Sequence, residues 1–231
     1  MISHKDRYIF IHQRKCAGLA IAHALGVDRT SPDFHVFNEG TLSSGGRFGD
    51  WSAHPDWTRQ YHVFVVCRNP WDRFVSGWRY LKQTRTLPLR AVAQQALEGR
   101  FDDEGLIYRH LLRPQMRILV DAANGFVPQS VLRYEQLAAD FAQLCMTLNL
   151  PRRELSRTNA SRRWPYWMYY DAVTRDIVGR LFAADVAAFD YTFEQPSTWR
   201  ARAVSVGPAV VKRTCVTAKQ CWTVARRRVS R

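Results

Sequence analysis

Tyr61-His-Val-Phe-Val-Val-Cys67, running directly into Arg68-Asn-Pro70, is the stretch that decides the fold. Its residues are mostly β-branched or aromatic, and a proline bounds it, so it reads as a strand. Its apolar run is nearly unbroken. A strand with one wet face would alternate, so both faces are expected to be covered, as inside a parallel sheet. Pro70 stops the strand and suits the first turn of a helix, where no backbone N–H is needed. Phe74, Trp78 and Leu81 then recur at i, i+4 and i+7. That spacing predicts an amphipathic helix over 71–82.

The same strand-loop-helix unit occurs upstream. Tyr8-Ile-Phe-Ile-His12 is β-rich, Gln13-Arg-Lys-Cys-Ala-Gly18 is a loop, and an apolar helical stretch covers 19–25. Residues 26–60 are rich in Gly, Ser, Asp and Pro and read as loop. Downstream, helices are expected over 87–97, 135–148 and 168–182, with a third strand at Val131-Leu-Arg-Tyr134 and Phe189-Asp-Tyr-Thr-Phe193 closing the body. This order predicts an α/β fold, a central parallel sheet flanked by helices and joined by right-handed crossovers. Residues 1–199 form the expected domain, and 200–231 a basic C-terminal tail.

Composition narrows the classes. The chain has 231 residues, 46% of them hydrophobic, with 8 Trp, 9 Tyr and 12 Phe, which is too apolar and aromatic for a disordered polymer. No run of about 18 apolar residues suggests a transmembrane helix. The N-terminal apolar run is too short for a secretion signal. Five scattered cysteines without a CxxC pair predict free thiols, a reducing compartment and no metal site. The expected location is cytoplasmic, with peripheral contact to the inner membrane as an option for the tail. Net charge is +14, and residues 200–231 carry nine basic residues and no acidic one, leaving +5 for the body. Such a charge favours polyanions: nucleic acid, anionic lipid or a phosphorylated ligand. No nucleic-acid-binding signature accompanies it, so no specific nucleic-acid partner is expected. A basic amphipathic tail has the chemistry to lie on an anionic membrane, and equally that of a plain extension.

Two strand-to-helix turns concentrate the chemistry. In the first, Lys15 and Gly18 sit where loop N–H groups and a helix start meet an anion, with lysine adding a point charge. No GxxxxGK[ST] or GxGxxG pattern is present. In the second, Arg68 leaves the strand end and Ser76 lies in the second turn of the helix, a fork and a hydroxyl suited to a tetrahedral anion. Neighbouring parallel strands bring both turns to one sheet edge. Two anion sites there suggest a nucleotide phosphorylated at two separate positions.

On these residues the chain resembles the sulfotransferases that use 3′-phosphoadenosine 5′-phosphosulfate, in particular the carbohydrate sulfotransferase branch and its bacterial relatives. The first turn is similar to that family's 5′-phosphosulfate loop, H-x-P-K-x-A/G-G-T-S. The second is similar to its 3′-phosphate motif, R-x-P-x-x-R-x-x-S, at every specified position. The likeness extends through Leu132-Arg-Tyr-Glu135, Asp140, Asn159-Ala-Ser161, Tyr169-Tyr-Asp171, and Asp185 through Phe193. It implies an α/β fold related to nucleotide kinases. It also implies in-line transfer of a sulfuryl group to a hydroxyl of a carbohydrate, glycolipid or other small acceptor, without a metal. Lys15 would stabilise charge as the S–O bond breaks. Arg14, Lys15, Cys16, Ala17, Gly18 and Leu19 would line the phosphosulfate loop. Arg68 and Ser76 would bind the 3′-phosphate, with Arg73 as a helper or as an ion-pair partner of a helix carboxylate.

One departure bears on activity. Leu19-Ala20 stands where the family has Thr-Ser, and Arg14 where it has Pro. Each hydroxyl lost from a charged group costs about 1.5–3 kcal/mol, so a binding-competent but inactive relative is the alternative reading; a basic nucleic-acid binder, on charge alone, is a third. The acceptor needs a general base. His54 is the first candidate, followed by His12 and the carboxylates Glu39 and Asp50. His62 reads as packing, and His110 as distant from both turns. In Trp164-Pro-Tyr-Trp167-Met-Tyr-Tyr170, Tyr169 and Tyr170 read as core and the tryptophans as a binding edge, with Arg157, Arg162 and Arg163 beside them suited to an acidic acceptor or, equally, to solvent.

Overall fold

The computed structural model describes residues 1–27, 59–102, 105–121, 125–151, 153–155 and 163–194. Its centre is a four-stranded sheet in the order β1-β2-β3-β6. Strand β2 (Tyr8–Ile11) pairs in parallel with β3 (His62–Cys67), Tyr8 opposite His62 and Ile11 opposite Val65. On the other side of β3, strand β6 (Ser130–Arg133) also runs parallel, placing Cys67 opposite Arg133. The edge strand β1 (Ile2–Ser3) is antiparallel to β2 and was not expected. A separate small hairpin joins β4 (Val120–Asp121) to β5 (Gly125–Phe126).

Strand periodicity explains the unbroken apolar run of β3. Val63, Val65 and Cys67 face one side, with Ile9, Ile11, Leu119 and Phe189. Phe64 and Val66 face the other, with Tyr8, Phe10, Ile21 and Phe141. Successive side chains point to opposite faces, and both faces are covered, so neither tolerates polarity. The second face is covered by helices α1 (Gly18–Ala24) and α5 (Leu137–Thr147).

A third cluster packs helix against helix. Helix α2 (Pro70–Tyr80) contributes Trp71, Phe74 and Val75. It starts where predicted because Asn69 caps it, the side chain accepting from the N–H of Trp71 at 3.1 Å. It ends at Leu81, whose extended backbone turns the chain into the short α3 (Lys82–Arg85). Helix α4 (Leu89–Leu97) lies against α6 (Ala172–Leu181).

The expected helix over 168–182 is shorter than predicted. Residues Tyr166–Tyr169 form a 3₁₀ turn after Pro165. Helix α6 then begins at Ala172 because the Asp171 carboxylate accepts the Thr174 N–H at 2.6 Å. A capping side chain outcompetes continuation of the upstream turn. A further helix, α7 (Ala183–Phe189), follows, ended by Asp190 in the left-handed region at φ 51°. Among the described residues no helix is long and apolar enough to cross a membrane. The tail, the 199/200 boundary, His54, Glu39, Asp50, Asn159–Ser161, Arg157 and Arg162 lie outside the described residues.

Candidate anion site

The ends of β2 and β3 are adjacent, so the turns that follow them meet. Arg68 donates from Nη1 to the backbone carbonyl of Lys15 at 2.7 Å. Its Nε and Nη2 both go to Asp72, at 2.8 and 2.7 Å. The guanidinium lies over the Tyr134 ring, 3.9 Å from its centroid. Arg163 pairs with the other oxygen of the same Asp72 carboxylate. One acidic side chain thus holds two arginines.

Burial pushes the Lys15 ammonium down to about 8, and the charges of Arg68, Arg14 and Arg163 push the same way. Three arginines therefore gather within electrostatic reach of Lys15. Like charges at close range are costly unless an anion joins them. Lys15 also rests 3.9 Å from the centroid of the Tyr80 ring, a cation–π contact that holds it in place.

The loop backbone fits the same reading. Lys15 and Ala17 both adopt left-handed conformations, at φ 66° and 59°. For residues with a side chain each costs roughly 1 kcal/mol or more. Such turns gather N–H groups into a concavity that suits an anion. Helix α1 is only seven residues long, so its dipole adds little and the loop and cations dominate.

One stripe of α2 faces both turns. Asp72, Ser76 and Tyr80 recur every four residues and share a face. Asp72 meets Arg68 and Arg163, and Tyr80 meets Lys15. Ser76, half-buried, lies between them.

Gln115 joins the two turns from beneath and is 1% exposed. Its Oε1 accepts the Arg68 N–H at 2.9 Å and the Cys16 thiol at 3.5 Å. Its Nε2 donates to the Arg68 carbonyl at 2.9 Å, and its own carbonyl accepts from Gln13 at 3.2 Å. Asp185 anchors this turn, accepting the N–H groups of Gln115 and Met116 at 2.8 and 2.9 Å. Burial raises the Asp185 carboxyl, against the pull of Arg73.

Several expected residues have other tasks. Arg73 is 1% exposed, donates to the Arg113 carbonyl and lies 5.4 Å from the Phe182 ring centroid, so it serves the core near Asp185. The Cys16 side chain points inward, leaving only its backbone for the loop. Gly18 makes room for His12: a Cβ there would lie 1.8 Å from the imidazole, which stacks on Phe10. His12 is thus packed under the loop. Leu19 is 36% exposed, so no core contact demands leucine there. Trp164 is 69% exposed, while Tyr169 and Tyr170 pack against the helical core, as expected. His62 is bound to Ser130 Oγ at 2.8 Å, at the strand entrance.

His110 is the largest correction. The sequence places it far from both turns, but the fold carries it to the first one. Its Nε2 lies 3.0 Å from Arg14 Nη1, and its ring stacks on Tyr80 with centroids 5.0 Å apart. Gly77 permits this approach, because a Cβ there would lie 2.7 Å from the His110 carbonyl oxygen. Desolvation, Arg14, Lys15 and Arg109 lower the imidazole to about 4. Tyr80, Gln115, Tyr134 and Glu135 join it as residues to which the sequence assigned no role, while Arg163, expected beside the aromatic cluster to meet an acidic acceptor, is held by Asp72. Tyr80 had a local signal in its four-residue spacing from Ser76, and Tyr134 and Glu135 lie in the stretch Leu132-Arg-Tyr-Glu135. Glu135 accepts the Asn69 N–H at 2.7 Å and so fixes the start of the second turn.

Among the described residues no group of His, Cys, Asp and Glu is arranged to hold a metal ion. No family model matches this chain, and neither a curated protein nor a solved structure does.

Proposed function

We propose that the chain is a sulfotransferase that moves a sulfuryl group from 3′-phosphoadenosine 5′-phosphosulfate to a hydroxyl, with a carbohydrate as the favoured acceptor class. The observation that carries this reading is the bond from Arg68 to the Lys15 carbonyl at the ends of two neighbouring parallel strands. The bond sets Lys15 and Arg68 on one edge, with Arg14 and Arg163 adding charge, which supports reading them as the 5′-side and 3′-side cations. A ligand with anionic groups at two separate positions satisfies both.

In this mechanism the acceptor hydroxyl gives its proton to a general base and its oxygen attacks sulfur as the bond to the bridging phosphate oxygen breaks, releasing adenosine 3′,5′-bisphosphate. Lys15 meets the charge that develops on that oxygen. Positioning and charge stabilisation do most of the work, as in phosphoryl transfer. Arg68 and Ser76 receive the 3′-phosphate, which competes with Asp72 for the arginine fork. The exposed Trp164 offers a face for a sugar ring.

A thermal-shift titration tests the donor half. Adenosine 3′,5′-bisphosphate at a hundred times Kd should add about 2.7 kcal/mol, and AMP at the same concentration clearly less. Equal shifts would remove the 3′-site. Transfer of labelled sulfate to a glycan panel tests the acceptor half. Binding without transfer would favour the second reading, an inactive nucleotide-binding relative, which Leu19-Ala20 motivates.

A further inference from the structure

Arg14 adds charge in the mechanism above, but its contact with His110 has no part there. His110 is 6% exposed, and it sits on Tyr80 beside Lys15. Arginine has only donors, so at the 3.0 Å contact Arg14 donates and the imidazole Nε2 accepts. The ring must be neutral for this, and a protonated ring would repel Arg14 instead. Among the described residues the groups that face it are cationic or neutral: Arg14 and Lys15 from the first turn, Arg109 from its own segment, and the Tyr80 ring from α2. Those charges and burial keep it neutral at pH 7.

We propose that His110 is a positioning residue that holds Arg14 over the first turn, making Arg14 a second cation for the 5′-side anion. This rests on the anion-site reading above and extends it to a residue from a distant segment. Protonation of His110 would break this contact, so the positioning is complete at pH 7 and is lost only as pH falls towards the imidazole's value of about 4.

The experiment is isothermal titration of the full chain with AMP, adenosine 3′,5′-bisphosphate and pyrophosphate, at pH 7. Variants are Arg14→Ala, His110→Leu and His110→Gln, with folding checked by circular dichroism. Arg14→Ala and His110→Leu should weaken all three ligands alike, by about tenfold or more, the scale of one hydrogen bond to a charged group. His110→Gln, which retains an acceptor for Arg14, should stay within about threefold at pH 7. A folded His110→Leu that binds like wild type overturns the proposal. So does a Gln variant as weak as the Leu variant, which would mean that the ring only packs. If the wild type binds pyrophosphate through Arg14 and His110 but neither nucleotide, this inference stands and the sulfotransferase reading falls.

Discussion

Arg68 and Lys15, fifty-three residues apart, are joined by a single hydrogen bond from the arginine Nη1 to the lysine carbonyl, 2.7 Å long. The bond makes the two turns one unit. It also gives Arg68 two tasks, since the same guanidinium neutralises Asp72 and lies on Tyr134.

Arg68→Ala should therefore weaken adenosine 3′,5′-bisphosphate by about a hundredfold and AMP by less than about tenfold. The smaller loss reflects the loosened Lys15 turn, and the larger one the missing fork. Calorimetric titration of both nucleotides checks this. Equal losses would reduce Arg68 to a structural tie.

Lys15 predicts a pH profile. In the free protein its ammonium titrates near 8, lowered by burial and by Arg68. A bound anion raises that value, so above about pH 8 binding requires proton uptake. Bisphosphate affinity should fall as pH rises from 8 to 9.5, by up to about tenfold per unit, and Lys15→Arg should flatten the fall. A slope that persists in the arginine variant would assign the titration elsewhere. Stability without ligand should move the other way. The unfolded chain binds more protons than the folded one between about 8 and 10.5, so folding strengthens with pH in that window.

Ala17 occupies a left-handed position at φ 59° and caps α1 without a side-chain hydrogen bond. Ala17→Gly should raise stability by about 1 kcal/mol, since glycine has no Cβ to strain there and caps at least as well. Chemical denaturation measures it. A loss of stability would show that the entropy of the glycine variant's unfolded chain outweighs the relieved strain.

Gly18→Ala should cost about 1–3 kcal/mol, the scale of overpacking, because the new methyl collides with the His12 ring. Adding His12→Ala should recover most of it. Independent, additive losses in the double variant would contradict the contact.

Leu19→Thr with Ala20→Ser should raise sulfate transfer if the reaction is the one proposed, by about tenfold per hydroxyl restored. Leu19 is exposed, so threonine there should leave the fold intact. Lys15→Ala should lower transfer by roughly 10²–10³, the scale for one transition-state donor. Measurable transfer that survives this change would remove Lys15 from the chemistry.

The β3 run, the Pro70 stop and the Asn69-Pro70 helix start were legible because their causes are local. Strand burial on both faces leaves an apolar run, and a proline leaves a fixed backbone angle. The α6 start was missed although Asp171 is a common capping residue, because the aromatic run ahead of it matches helical spacing equally well. Lys15, Arg68 and Ser76 were legible as residue types in strand-to-helix turns.

Sequence alone thus determined the α/β class, the parallel pairing and the two basic turns, all consequences of periodicity and of residues within a few positions of one another. Tertiary structure decided which side chains keep those turns together. Gln115 reaches the Arg68 backbone across forty-seven residues, and Arg14 meets His110 across ninety-six. Such partners leave no local pattern, because a hydrogen bond across the fold constrains two side chains and none of the residues between them. Tertiary structure also decided that His12 packs, that Arg73 serves the core and that Leu19 faces out. Each outcome follows from which face of the sheet or helix is covered, and that depends on the elements packed against it.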